Sequence, residues 1–180
     1  MSAALDGVAG LPDFSGRQID VRFVSDLSIS GGKLLSSAER GQPVHAATFV
    51  RRREMILEAE LRSDPAELRR VAVHELFHFV WVRLSNAVRR EWESVLEAER
   101  RAKISGELGW SAEWRKAELA YKDVHRRSRK WREYACESFC DTAAWMLTGG
   151  RKQERTLAPT ARRARQRWLE NLFVAESISI

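Results

Sequence analysis

The first third of the chain alternates apolar and polar positions. Residues 19–23 follow the period of two that is typical of a half-buried β-strand. The same pattern predicts a second strand over 46–50 and a third over 55–61. Serines and glycines dominate the segment 28–43 between the first two strands, which predicts a loop or a lid. These strands are expected to form a small sheet.

The rest of the chain follows the period of an α-helix. The first helix has Asp64 as its N-cap and Pro65 at its first position, and it should run to about Leu84. It is apolar on nearly every side over 71–82, which predicts a buried central helix. Further helices are predicted over 88–103, 111–126, 129–147 and 160–173. The predicted fold class is α+β, with a small β-sheet packed on the central helix and a mostly helical C-terminal part.

Length and composition limit the organisation of the chain. A chain of 180 residues with 44% hydrophobic residues forms one domain with a real core, which excludes global disorder. We predict a flexible N-terminal arm over 1–17 and a single domain over 18–180. Apolar runs are too short to cross a membrane and the N-terminus lacks the pattern of a signal peptide, so we expect a cytoplasmic protein without a membrane partner. Cys136 and Cys140 are expected to be buried and reduced.

Positive charge is concentrated in two segments. The chain has 31 Lys and Arg against 25 Asp and Glu, and the excess lies mainly in 115–132 and 151–167. Such segments form solvated helix faces, or they contact nucleic acid or acidic proteins. No base-reading motif accompanies them, so any binding to DNA or RNA is expected to be weak, non-specific and lost at moderate salt.

The pattern with the clearest chemistry is the HExxH sequence His74-Glu75-Leu76-Phe77-His78. Positions i and i+4 of a helix lie on one face, so both imidazoles can bind one ion. Glu75 stands beside that ion, where it can take a proton from water. Ionisable groups in an apolar helix are costly without a compensating partner. We therefore predict one Zn²⁺ per chain bound through His74 and His78, with Glu75 as the general base.

A third ligand is expected from the predicted helix 129–147, because a catalytic zinc usually has three protein ligands. Acidic residues recur there every four positions along one stripe of an otherwise apolar segment, at Glu133, Glu137 and Asp141. Buried acids in register imply a cationic partner. His125 is another candidate ligand, but positive charge surrounds it.

The order His74-Glu75-x-x-His78 followed by Glu137-x-x-x-Asp141 resembles the gluzincin type of zinc metallopeptidase, which includes thermolysin. The resemblance implies a zincin-like domain that hydrolyses peptide bonds in a peptide or protein substrate. It also implies zinc bound by His74, His78 and Glu137, with Glu75 as the general base. Asp141 would orient the first histidine, as a carboxylate behind a metal-bound imidazole commonly does.

The sequence also allows a second assignment of the third metal ligand, shifted by one helical turn. The order Glu133-x-x-x-Glu137-x-Phe139 also resembles lethal-factor-like peptidases, in which the first glutamate is the ligand and the second supports it. Glu137 is favoured because Asp141 then completes the gluzincin pattern, and Glu133 is the alternative metal ligand. The candidates for polarising the substrate carbonyl are Tyr121, Tyr134 and His125.

The substrate is expected to bind along an edge strand, for which 55–61 is the candidate. The competing hypothesis is a non-enzymatic binding or regulatory module that contains zinc and contacts nucleic acid or an acidic partner through its basic helices. A closed site with four protein ligands would favour this second hypothesis.

Overall fold

Short β-strands form the N-terminal part of the fold. The computed structural model describes residues 11, 14–30, 33–35, 42–149, 156–175 and 178–180. In these ranges the strands are β1 (Phe14–Ser15), β2 (Asp20–Val24), β3 (Ser28–Ser30), β4 (Lys33–Leu35), β5 (Gln42–Pro43), β6 (Ala46–Phe49), β7 (Glu54–Glu58) and β8 (Ile178–Ser179).

Helices form most of the remaining described chain. They are α1 (Pro65–Arg83), α2 (Asn86–Arg101), α3 (Trp110–Ala117), α4 (Tyr121–His125), α5 (Arg129–Thr148) and α6 (Pro159–Ala175). The predicted α+β class with a small sheet is confirmed. Among these described helices, none combines the length and the apolar character that crossing a membrane requires.

The sheet beside α1 has the strand order β2-β7-β6. β7 runs parallel to β2 and antiparallel to β6, so it lies in the centre of this sheet. The expectation that 55–61 is an edge strand is therefore wrong, since β7 has partners on both sides and ends at Glu58, where a 3₁₀ turn over Ala59–Ser63 begins. Among the described strands of this sheet, β6 is an edge. It packs on α1, and the Thr48 hydroxyl donates to the Glu75 carbonyl at 3.3 Å.

The segment 28–43 differs from the predicted loop. It contains a second sheet, in which β3 pairs antiparallel with both β4 and β5. Residues 31–32 and 36–41, which belong to the same predicted loop, lie outside the described residues. Pairing between neighbouring short strands supplies the backbone hydrogen bonds that a purely local pattern does not reveal.

Part of the predicted arm 1–17 also has partners. Residues 1–10 and 12–13 lie outside the described residues. The next two residues form β1, which pairs in parallel with the C-terminal β8. The Phe14 ring meets the Phe77 ring edge-on at 6.2 Å, so the end of the arm packs on α1.

Helix α1 has the start and the burial that its sequence predicts. The Asp64 side chain accepts a hydrogen bond from the Glu67 backbone at 3.1 Å, and Pro65 occupies the first position. The side chains from Val71 to Trp81 are mostly buried. Helix α5 packs along this buried helix, with the Phe139 ring against aromatic side chains of α1. The same packing brings Glu137 and Asp141 of α5 next to His74 of α1.

The single helix predicted over 111–126 is wrong, because the chain forms α3 and α4 there. The Asp123 carboxylate accepts a hydrogen bond from the Ala120 backbone at 2.9 Å and so stabilises a new helix start. Just before it, the Leu119 side chain is buried. A local capping interaction and one buried leucine thus interrupt the helical pattern.

A buried ion cluster joins the C-terminal helices. The Arg165 guanidinium of α6 donates to the Glu99 carboxylate at 2.6 and 2.8 Å and to the Glu107 carboxylate at 2.6 and 3.0 Å. The Tyr134 hydroxyl donates to Glu107 at 2.6 Å, and the Lys116 ammonium lies 3.0 Å from the same carboxylate. These buried charges are compensated within the cluster.

We expect this cluster to make stability depend on acid pH. Burial raises the pKa of the Glu107 carboxyl, but Arg165 and Lys116 outweigh it and hold that pKa below its ordinary value. A lowered pKa contributes stability above the unfolded-state value of about 4.3, and this contribution is lost as the pH falls through the folded-state value. Urea unfolding of the parent and Glu107→Gln should differ strongly at pH 7, and the difference should begin to shrink below about pH 4.3 and disappear only below the folded-state pKa. A difference independent of pH would contradict this role.

Candidate metal centre

Two imidazoles of α1 form one side of the site. His74 and His78 lie one helical turn apart, with ring centroids 5.0 Å from each other. His74 is buried and His78 is half-buried. This arrangement follows from the i, i+4 spacing on a rigid buried helix.

Two carboxylates of α5 meet His74. The Nδ1 atom of His74 lies 2.8 Å from Asp141 Oδ1, and its Nε2 atom lies 3.3 Å from Glu137 Oε2. A carboxylate at Nδ1 fixes the ring orientation and leaves Nε2 directed at the site. Asp141 therefore has the position of an orienting residue, and Glu137 lies on the side of the ring where an ion would bind.

Helix α3 contacts the Asp141 oxygen that does not face His74. The Ala112 backbone donates to Asp141 Oδ2 at 3.2 Å. A Cβ atom on Gly109 would lie 2.3 Å from the Asp141 carboxylate. Glycine at this position therefore lets the start of α3 approach the carboxylate closely. Helix α3 also supplies Arg115, whose guanidinium lies 3.3 Å from Glu137 Oε1.

Both cysteines of the chain belong to the same region. They are free thiols, as predicted. The Sγ atom of Cys136 lies 3.4 Å from Nδ1 of His78. Ligand atoms of His74, His78 and Cys140 lie within 4.8 Å of one another, so these three residues form a candidate metal-binding group. The sequence predicts both thiols only as buried, reduced side chains and does not reveal this group, although Cys140 lies three positions after Glu137 and thus close to it on the helix surface.

The carboxylates and imidazoles of the site stabilise each other's charged forms. Burial raises the pKa of Glu137, but the hydrogen bond from His74 and the nearby imidazoles outweigh it and lower that pKa to about 2. Burial lowers the pKa of His74, but Asp141 and Glu137 outweigh it and hold that pKa well above its ordinary value. The carboxylates therefore favour positive charge between the two helices.

A second charged pair involves His78. Burial lowers its pKa, but the neighbouring Cys136 and Glu75 outweigh this effect and raise the pKa to about 9. The hydrogen bond with Cys140 lowers the pKa of Cys136, and the His78 charge lowers it further. Burial opposes both effects, and the resulting pKa is about 6.

The donor set of the site indicates which metal it suits. Two imidazoles, a carboxylate and thiol groups make a mixed nitrogen, oxygen and sulfur donor set, which suits Zn²⁺ better than Mg²⁺ or Ca²⁺.

The site opens onto a cleft of about 600 Å³. His74, Glu75 and Asp141 line its floor, and the start of β6 and the start of α3 contribute its walls. His45 also lines this cleft, and its Nδ1 atom lies 2.7 Å from the Glu58 carboxylate. A peptide segment could thus reach the imidazole of His74 and the carboxylate of Glu75 from solvent.

Glu133 lies apart from the cluster. Its side chain is 44% exposed, and its carboxylate accepts a hydrogen bond from Arg129 at 2.6 Å. Glu133 and Glu137 lie one helical turn apart, but Glu137 is the one that the structure brings to His74. The alternative register therefore has no support from the positions of these two carboxylates.

The predicted carbonyl-polarising residues lie elsewhere, which corrects that expectation. The Tyr134 hydroxyl is buried against Glu107 in the ion cluster of Arg165. Tyr121 is 84% exposed and stacks on His125, and both line a different pocket of about 440 Å³ between α2 and α4. None of these three side chains lines the described part of the cleft at His74. His125 is likewise not a member of the group formed by His74, His78 and Cys140.

Models of protein families, curated proteins and solved structures were all compared with this chain, and none matches it.

Proposed function

We propose that the chain is a zinc-dependent metallopeptidase of the gluzincin type, with a zincin-like domain. One observation carries the proposal: the His74 ring stands between the Asp141 and Glu137 carboxylates at the floor of an open cleft, one residue before Glu75. An orienting carboxylate, a metal-binding imidazole and a neighbouring general base are the parts that metal-assisted hydrolysis needs.

In this proposal His74, His78 and Glu137 hold the metal. When bound, Zn²⁺ would lower the pKa of a water to about 7 and polarise the substrate carbonyl. Asp141 keeps Nδ1 of His74 occupied, so that Nε2 remains for binding. Arg115 contacts the Glu137 oxygen that does not face His74, and thereby limits the rotation of this carboxylate.

Glu75 is the proposed proton carrier. Its side chain lines the cleft, and its backbone carbonyl is tied to Thr48 of β6. The carboxylate takes a proton from the attacking water and returns it to the leaving amine when the peptide bond breaks. The cleft also extends along residues 44–46 at the start of β6, an edge strand within the described sheet. An extended peptide is the substrate class that such an edge accommodates by strand addition.

The ligand set is tested with three single variants. Glu137→Ala should lose zinc, because the carboxylate next to His74 is removed. Asp141→Ala should weaken zinc affinity about 10 to 100-fold, the usual effect of an orienting residue. Glu133→Ala should bind zinc like the parent, because Glu133 pairs with Arg129 at the surface. Competitive zinc titrations measure all three affinities.

The opposite order would support the lethal-factor-like register, with loss of zinc in Glu133→Ala and retention in Glu137→Ala. His78→Ala serves as the positive control and should strip the metal from the site. Elemental analysis that finds no zinc in the parent protein would refute the proposed function. A parent that binds zinc and cleaves no member of a broad peptide library would favour the non-enzymatic binding module.

A further inference from the structure

We propose that Cys140 is a further ligand of this metal and binds it as a thiolate in the substrate-free protein. The proposal rests on the proposed function, since it concerns the same site and the same ion. It adds a sulfur donor that the ligand set of His74, His78 and Glu137 does not contain.

The first support is the convergence of three donor atoms. Atoms of His74, His78 and Cys140 lie within 4.8 Å of one another. A tetrahedral zinc with bonds of about 2.0 to 2.3 Å keeps its donors roughly 3.5 Å apart. Each pair of donors would have to approach by at most about 1.3 Å to close on one ion.

The second support is the different use of the two histidine nitrogens. Asp141 lies at Nδ1 of His74, and Cys136 lies at Nδ1 of His78. Both imidazoles therefore have a partner at Nδ1 and keep Nε2 for an ion. In this arrangement Cys136 orients an imidazole, whereas Cys140 belongs to the group of converging donors.

The third support is the burial of Cys140. Its exposed fraction is 0%, and it belongs to α5, which packs on α1, the helix that carries the two histidines. Metal binding would release the thiol proton to solvent, as thiolate coordination requires. A buried thiolate next to two imidazoles favours Zn²⁺ or Co²⁺ over Mg²⁺, Ca²⁺ or Mn²⁺.

Cys140 has a consequence for the proposed hydrolysis. With His74, His78 and Glu137 it completes a set of four protein donors, which closes a zinc site. Hydrolysis needs one open position. A site that stayed closed would fit the non-enzymatic module, so hydrolysis requires Cys140 to be an exchangeable ligand that leaves the ion when substrate and water enter the cleft.

Cobalt substitution tests the sulfur ligand directly. The metal-free full chain is titrated with Co²⁺ in a phosphine reductant, and the near-ultraviolet band of sulfur-to-cobalt charge transfer is recorded. The parent should show this band. Cys140→Ala should lose this band. Its loss of zinc affinity should also exceed the about 10 to 100-fold loss that removal of an orienting residue causes. The comparison variant Cys136→Ala removes the other thiol of the same helix; it should keep the band at saturating Co²⁺, with an affinity lower by about 10 to 100-fold because Cys136 orients His78.

Each outcome has one meaning. Cobalt binding without the band in the parent, or loss of the band in Cys136→Ala alone, overturns the role of Cys140 and leaves the proposed function intact. Failure of the parent to bind either Co²⁺ or Zn²⁺ overturns both proposals. If Cys140→Ala does not fold by circular dichroism, Cys140→Ser replaces it, and the spectrum of the parent still decides whether sulfur is bound.

Discussion

Glu75→Gln is expected to keep the fold and the zinc and to lower peptide hydrolysis about 10² to 10⁴-fold, the usual contribution of a general base. The amide has nearly the shape of the carboxylate, but it cannot take a proton from water or return one to the leaving amine. The proposed ligands are His74, His78 and Glu137, and Glu75 acts only on the proton, so zinc content should stay at about one per chain. Hydrolysis is measured on a library of fluorogenic peptides with each protein loaded with zinc.

The matched control is Glu91→Gln, an exposed glutamate on α2. It should hydrolyse the library at the rate of the parent. Turnover in Glu75→Gln at the parent's rate would show that Glu75 is not the general base. Loss of zinc in this variant would instead show that the carboxylate takes part in holding the ion.

Arg165→Ala is expected to destabilise the fold by about 3 to 5 kcal/mol, because it leaves buried carboxylates without their main cationic partner. The exposed fraction of Arg165 is 0%, and its guanidinium donates to both Glu99 and Glu107. Burial lowers the pKa of Arg165, but the two glutamates outweigh it and hold this pKa well above its ordinary value. The free energy of unfolding is measured by urea titration at pH 7.

Arg129→Ala is the matched control for this variant. Arg129 is 86% exposed and pairs with Glu133 on the surface, so its removal should have little measurable effect. The triple variant Arg165→Met, Glu99→Gln, Glu107→Gln should recover part of the loss, because it removes both buried carboxylates together with the guanidinium that neutralises them. Equal losses in Arg165→Ala and Arg129→Ala would contradict a stabilising role of the buried cluster.

Helix α1 is an element that the local sequence alone predicts. The Asp64 cap, Pro65 and the apolar run that follows predicted a buried helix, and the structure has it at Pro65–Arg83. The spacing of His74 and His78 on that helix places both imidazoles on one face without the help of any tertiary contact. Capping and helical periodicity act over a few residues, so the sequence alone specifies them.

Such local patterns did not predict which strands pair with each other. Alternation predicted the strand at β7, but not its place in the centre of the sheet, because its partner β2 lies more than thirty residues earlier in the chain. The short strands in 28–43 and the split between α3 and α4 were also missed. These features depend on pairing and burial between segments, and a local pattern carries no information about which segments meet.

The candidate metal centre likewise has features that follow from local sequence and others that depend on tertiary contacts. The sequence by itself determined that two histidines and one glutamate share a helix and that acidic residues recur along another helix. Only the tertiary structure decided that Glu137 meets His74, that Cys140 lies near both histidines, and that the Tyr134 hydroxyl donates to Glu107 in the buried ion cluster. Spacing along one helix follows from its backbone geometry, whereas contacts between helices depend on how their buried faces pack.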